Sequence, residues 1–235
     1  MYPFFELMTR YHFSESEKTW DCIAKSFNAT RRKPWTQVID FVNTLSSSDM
    51  VADIGCGNGR HLVVCVEKGI NIVGVDISTN LLSLAQSKVS SQQSSVAFVQ
   101  GDLAHIPLKD ERFDAVLYIA ALQIIKGRTN RTQSLQELHR ILKSEGKALV
   151  SVWSREQERF RDCFGDKKKS DGELGDIEIY WRQHNLQVPR FYHLYSKDEF
   201  IEDIEKSGLQ IETITDAKIK SKQYPDNYFA VVRKR

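Results

Sequence analysis

Very little in this 235-residue sequence belongs to an extreme class of protein. Cysteine is scarce: the four residues Cys22, Cys56, Cys65 and Cys163 never form a CxxC pair, and no His pair stands near them at metal-ligand spacing. Neither a disulfide framework nor a structural zinc site is expected. An excess of charge is also missing, since 33 Lys and Arg against 31 Asp and Glu leave +2. That excludes histone-like or polybasic chains and confines any nucleic-acid contact to local patches. No apolar run approaches the roughly 18 residues of a membrane span, and the apolar start at residues 2–5 is interrupted by Pro3, Glu6 and Arg10. The expectation is one soluble globular domain with reduced thiols, in the cytoplasm or also the nucleus.

Apolar periodicity divides the chain. Trp20, Ile23, Ala24 and Phe27, then Trp35, Val38, Ile39, Val42 and Leu45, repeat at helical spacing, which predicts two amphipathic helices over residues 1–49. Thr30-Arg31-Arg32-Lys33-Pro34-Trp35 lies between them, with Pro34 suited to the first turn of the second helix. From Met50 short apolar runs (51–54, 72–75, 96–99, 113–119, 148–153) alternate with helical segments (62–68, 81–89, 134–143). This predicts a mostly parallel, doubly wound α/β sheet over residues 50–153. Residues 154–192, with their Lys167-Lys168-Lys169 run, do not fit the alternation and are expected to be an insertion over the site. In residues 193–235 a capping box at 196–199 opens a helix ending at Gly208. Runs 209–214 and 228–232 then form an antiparallel pair at the sheet edge.

Asp53-Ile54-Gly55-Cys56-Gly57-Asn58-Gly59 puts three glycines where a strand gives way to a helix, and Asp76 closes the next strand about twenty residues on. A dinucleotide site wants GxGxxG, with pyrophosphate at the helix N-terminus, whereas this spacing is GxGxG and begins with a carboxylate. Asp53 suits a cationic, amino-bearing ligand. S-adenosylmethionine offers an ammonium, a sulfonium, a ribose for Asp76 and an adenine amine for Asp102.

In order along the chain these motifs resemble the class I S-adenosylmethionine-dependent methyltransferases over residues 50–153. The flanks are similar to the eukaryotic-type tRNA wobble-uridine carboxymethyl methyltransferases: Phe27 to Trp35, DIGCGNGRHL at 53–62, Val152 to Gln157, Arg190-Phe-Tyr192-His193-Leu194-Tyr195 and Asp226-Asn227-Tyr228-Phe229. The resemblance implies a Rossmann-like fold with N-terminal helices and esterification of 5-carboxymethyluridine at the wobble position. It implies a cofactor site of Asp53, Gly55, Gly57, Gly59, Asp76, Ile77, Asp102, Leu103 and Ile119. Arg31 is implied to hold the substrate carboxylate as a bidentate fork, with Arg190, His193 and Gln123 as further catalytic contacts. The tRNA anticodon loop would meet Arg32, Lys33, Trp153, Tyr192, Tyr195, Asp226 and Asn227, with the 167–169 lysines on phosphates. A small zinc-binding activator subunit would dock on the edge strand near Val96 and Phe98, giving a heterodimer. Gln123 and Ile124 stand where the family usually has a His-His pair; an amide still donates a hydrogen bond but cannot become cationic. The alternatives from the residues are an O-methyltransferase for a small carboxylate or hydroxyl, and a non-catalytic cofactor-binding partner protein.

Overall fold

The computed structural model describes residues 15–90, 95–160, 163 and 172–235. The apolar start at 2–5 and the lysine run at 167–169 lie outside them. Helices α1 (Glu15–Thr30) and α2 (Thr36–Asn43) precede the alternating core. It runs β1 (Met50–Ile54), α3 (Leu62–Glu67), β2 (Asn71–Asp76), α4 (Thr79–Val89), β3 (Val96–Gln100), β4 (Phe113–Ile119), a 3-10 turn at Leu122–Ile124, α5 (Arg128–Ile141) and β5 (Leu142–Trp153). After the insertion, with β6 (Asp176–Glu178) and β7 (Phe191–His193), come α6 (Lys197–Lys206), β8 (Gln210–Ala217) and β9 (Asn227–Arg233). Seven strands form one sheet in the order β3-β2-β1-β4-β5-β9-β8. The first five are parallel, and β9 runs antiparallel to both β5 and β8.

Strand alternation builds two cores, one on each face. In β4, Val116 and Tyr118 face α5 and α6 with Leu135, Leu138, Phe200 and Ile204. Ala115, Leu117 and Ile119 face the other way, toward Val38, Phe41, Leu62 and Cys65 of α2 and α3. A satellite core of Phe160, Ile179, Tyr192 and Leu194 lies under the insertion. There β6 and β7 pair antiparallel, so β7 crosses the expected boundary at 192.

The Ser196 hydroxyl accepts the Glu199 N–H, the cap the sequence predicts for α6, and Gly208 ends the helix at φ +87°. Pro34 is a correction: Trp35 is the N-cap of α2, so the proline precedes the helix instead of opening it. β5 also starts six residues before the expected strand, because Leu142 pairs with Phe113 across a bulge.

Candidate active site

A doubly wound sheet leaves a crevice outside the carboxyl ends of its strands where the strand order reverses, here between β1 and β4. Asp53 is the next-to-last residue of β1, Asp76 ends β2, Asp102 follows β3 and Ile119 ends β4. The turn after β1 is held shut on itself, because the Gly55 and Cys56 N–H groups both donate to the Val75 carbonyl, at 2.8 and 3.0 Å. Gly55, at φ +74°, would put a Cβ 2.4 Å from the Ala121 Cβ, and Gly59, at φ +71°, would put one 2.9 Å from the Ala85 Cβ. Both positions therefore exclude any side chain by backbone conformation and by close approach.

Asp53 is buried and its Oδ2 has no hydrogen-bond partner among the described residues. Burial, reinforced by the nearby Asp76 charge and partly offset by Arg60, pushes its carboxyl up to about 7. Asp76 accepts the Gly57 N–H at 2.8 Å and the Ser78 N–H at 2.9 Å, one on each oxygen. Burial still lifts it to about 6 against those hydrogen bonds. Each Asp76 oxygen keeps a lone pair for a further donor. An ammonium matched to the orphaned Asp53 oxygen, and hydroxyls matched to Asp76, are what this pair of carboxylates lacks; S-adenosylmethionine carries both. Leu103 and Ile119 are buried beside this turn, Ile77 is half-buried, and exposed Asp102 accepts the Ala104 N–H at 2.9 Å.

Helix α1 roofs the crevice. Asp21 accepts the Ser78 hydroxyl at 2.5 Å and the Asn80 N–H at 3.0 Å, fastening α1 to the start of α4. At the other end of α1, the Asn58 amide donates to Asn28 Oδ1 and to the Arg31 carbonyl, both at 2.8 Å. This ties the glycine turn to Arg31. Trp181, from the insertion, donates its indole N–H to Ser26 Oγ at 2.8 Å. Two arginines from opposite ends of the chain meet over that indole, Arg31 at 5.4 Å and Arg190 at 5.0 Å from the ring centroid. Phe27, Trp20 and Tyr192 complete the aromatic wall around them. Among the described residues no carboxylate lies within ion-pair distance of either arginine. Burial, with help from the Arg31 and Arg159 charges, holds Arg190 below its ordinary range despite its bond to the Tyr192 hydroxyl. Arg60 falls to about 10 through burial and the Arg31 charge, and Lys220 is lowered by burial, Arg31 and Arg60. The result is a cationic cluster beside the Asp53 turn, buried at Arg190 and half-buried at Arg31 and Arg60, suited to an anion.

Several residues expected as substrate contacts are engaged by other partners. His193 is fully buried, with Nδ1 2.7 Å from Asp176 and Nε2 2.8 Å from Glu199, so both ring nitrogens are occupied and no substrate contact is left to it. Arg131, equally buried, lies 2.7 Å from Glu173 and 3.8 Å from Glu199. Glu173, His193 and Glu199 converge closely enough for a metal, but the Arg131 guanidinium already supplies the positive charge between these acids. Tyr195 is core, edge-on to His193 and Phe200. Tyr192 is buried and stacks flat on half-buried Trp153 with centroids 4.8 Å apart, so one face of each ring is taken. Asp226 accepts the N–H groups of Ile219, Lys220 and Ser221 and the Asn227 amide, so it shapes its loop, and Asn227 is buried with it. Gln123 is fully buried with neither amide atom bonded. Arg32 and Lys33 are exposed on the α1–α2 connector. Sequence reasoning missed Asn58, Trp181, Arg60 and Arg131. Arg60 directly follows the glycine turn and was within reach; the others depend on tertiary contacts.

A model of the methyltransferase domain matches residues 52–150. The tRNA (carboxymethyluridine(34)-5-O)-methyltransferase of Schizosaccharomyces pombe is 31% identical over 214 residues, covering 83% of this chain and 88% of the relative. The chain belongs to the tRNA (carboxymethyluridine(34)-5-O)-methyltransferase family. The ALKBH8-type members bearing that name are longer. The Xenopus tropicalis protein is 38% identical over 60% of this chain, and this chain spans about a fifth of its length, as it does for the macaque and mouse proteins. The fold extends beyond the family. A SAM-dependent methyltransferase from Methanosarcina mazei superimposes with TM-score 0.74 at 17% identity, over 86% of this chain and 98% of that one.

Proposed function

We propose that this family member is an S-adenosylmethionine-dependent methyltransferase that esterifies the carboxylate of 5-carboxymethyluridine at the wobble position of tRNA. The observation that carries this reading is the pairing of Arg31 and Arg190 over Trp181, with no counter-ion among the described residues, next to the glycine turn. A carboxylate is already ionised at neutral pH, so the reaction needs no general base and depends on orientation. When bound, S-adenosylmethionine would supply the methyl group, which would pass to the carboxylate oxygen as its carbon–sulfur bond breaks, with S-adenosylhomocysteine as the leaving product. Asp53 and Asp76 would hold the cofactor and Arg31 and Arg190 the carboxylate, and the aromatic wall with roofing α1 limits water around buried Arg190, which strengthens its hold.

A small zinc-binding activator subunit completes the enzyme. Strand β3 supports this, since it is the outermost strand on its side of the sheet, with Val96 and Phe98 half-buried. Such an edge presents unpaired backbone groups for a partner. The test is methyl transfer from labelled S-adenosylmethionine to tRNA bearing unesterified carboxymethyluridine, with and without the subunit, followed by mild base. Label released as methanol supports the reading, and base-stable label overturns it. Arg31→Ala should keep cofactor binding but lose about 10²–10³-fold in turnover.

A further inference from the structure

On the outer face of α1 and α4 lies a second hollow, of about 400 Å3, lined by Lys25, Asn28, Ala29, Arg32 and Lys88. Three of these five residues are cations and none is an acid. Among the described residues, none of the three cations is ion-paired. Two of the charged heads are held in place: Lys88 Nζ donates to the Asn58 carbonyl at 2.8 Å, and Arg32 Nε donates to the Ala29 carbonyl at 2.9 Å. Burial and the Arg60 charge both push the Lys88 amine down, which marks unrelieved positive potential at this wall. Asn28 accepts from Asn58 through its oxygen, which leaves its amide nitrogen as another donor. The lining is therefore rich in donors that no neighbouring anion uses, and it suits a phosphate.

The position of the hollow narrows the source of that phosphate. Arg32 directly follows Arg31, and Asn58 bridges Asn28 to the Arg31 carbonyl. The hollow and the cationic cluster of the active site thus share the last turn of α1, one on each side. We infer that Lys25, Arg32 and Lys88 form a subsite for an RNA backbone phosphate flanking the nucleotide whose carboxylate Arg31 holds, an inference that rests on the tRNA reading above. The contact is sequence-independent and sets register: the ribose-phosphate chain is held outside α1 while the base enters beneath it.

The test is equilibrium binding of a fluorescent anticodon stem-loop RNA to the full chain between 50 and 200 mM salt, with Lys25→Gln/Arg32→Gln as the variant. Both replaced side chains are exposed, and cofactor binding measured in parallel reports that the variant is folded. The logarithmic salt slope should fall by about 0.7 for each cation removed, about 1.4 for the pair, with weaker RNA binding and unchanged cofactor affinity. Wild-type slope and affinity in the variant would overturn the subsite while leaving the tRNA reading intact. Unchanged RNA binding with loss of inorganic phosphate binding would assign the hollow to a free anion and also overturn it. A wild-type protein that binds no RNA, alone or with the activator subunit, would remove both readings together.

Discussion

Replacing Asp53 with Asn should make the free protein more stable and a poorer enzyme, and pH should separate the two effects. Folding raises this carboxyl from 3.8 to about 7, chiefly by burial. The folded state therefore holds a proton that the unfolded chain has released, and stability falls as pH rises from about 4 to about 7. At about 1.4 kcal/mol for each tenfold change in proton affinity, the penalty reaches about 4–4.5 kcal/mol above pH 7. Asn keeps the shape and removes the charge. The variant should gain on the order of 2–3 kcal/mol more at pH 8 than at pH 5, or roughly 4–12 °C in melting temperature for a chain of this size. Its affinity for S-adenosylmethionine should fall about 10–100-fold, the worth of a hydrogen bond to a charged group. In the wild-type protein that affinity should decline about tenfold per pH unit below 7, as Asp53 takes up its proton. Thermal melts at both pH values, with and without cofactor, measure all three. Equal stability gains at pH 5 and pH 8 would refute the assignment of the penalty to an ionised Asp53.

His193→Ala should destabilise the fold by about 2–4 kcal/mol, because it empties a fully buried site and strips two half-buried carboxylates of their shared hydrogen-bond partner; denaturant unfolding measures this, and a loss below about 1 kcal/mol would rule out the network. Tyr195→Phe should be neutral or stabilising, because its buried hydroxyl has no hydrogen-bond partner among the described residues and its ring contacts survive the change; the same unfolding curves decide it.

The sequence was sufficient wherever the physical cause is local. Alternating short apolar runs and amphipathic segments specify parallel strands with crossover helices, Ser196 specifies the cap of α6, and Asp53 to Gly59 with Asp76 specify where a cofactor turn must lie. The exceptions are also local: Pro34 lies outside the helix it precedes, and β5 begins early because a bulge against Phe113 extends its pairing. What the sequence could not rank was which polar residues face the crevice and which are spent inside. His193, Tyr192, Tyr195 and Asp226 have the chemistry of ligands, yet ion pairing, stacking and loop capping consume them, and those partners are distant in the chain or on other elements. Conversely, Arg31 and Arg190 gain their character only because Trp181 brings them to one ring and no described acid follows. Residue type and spacing fix where a strand ends; desolvation and the balance of charge depend on which surfaces are folded together, and only the tertiary structure decides those.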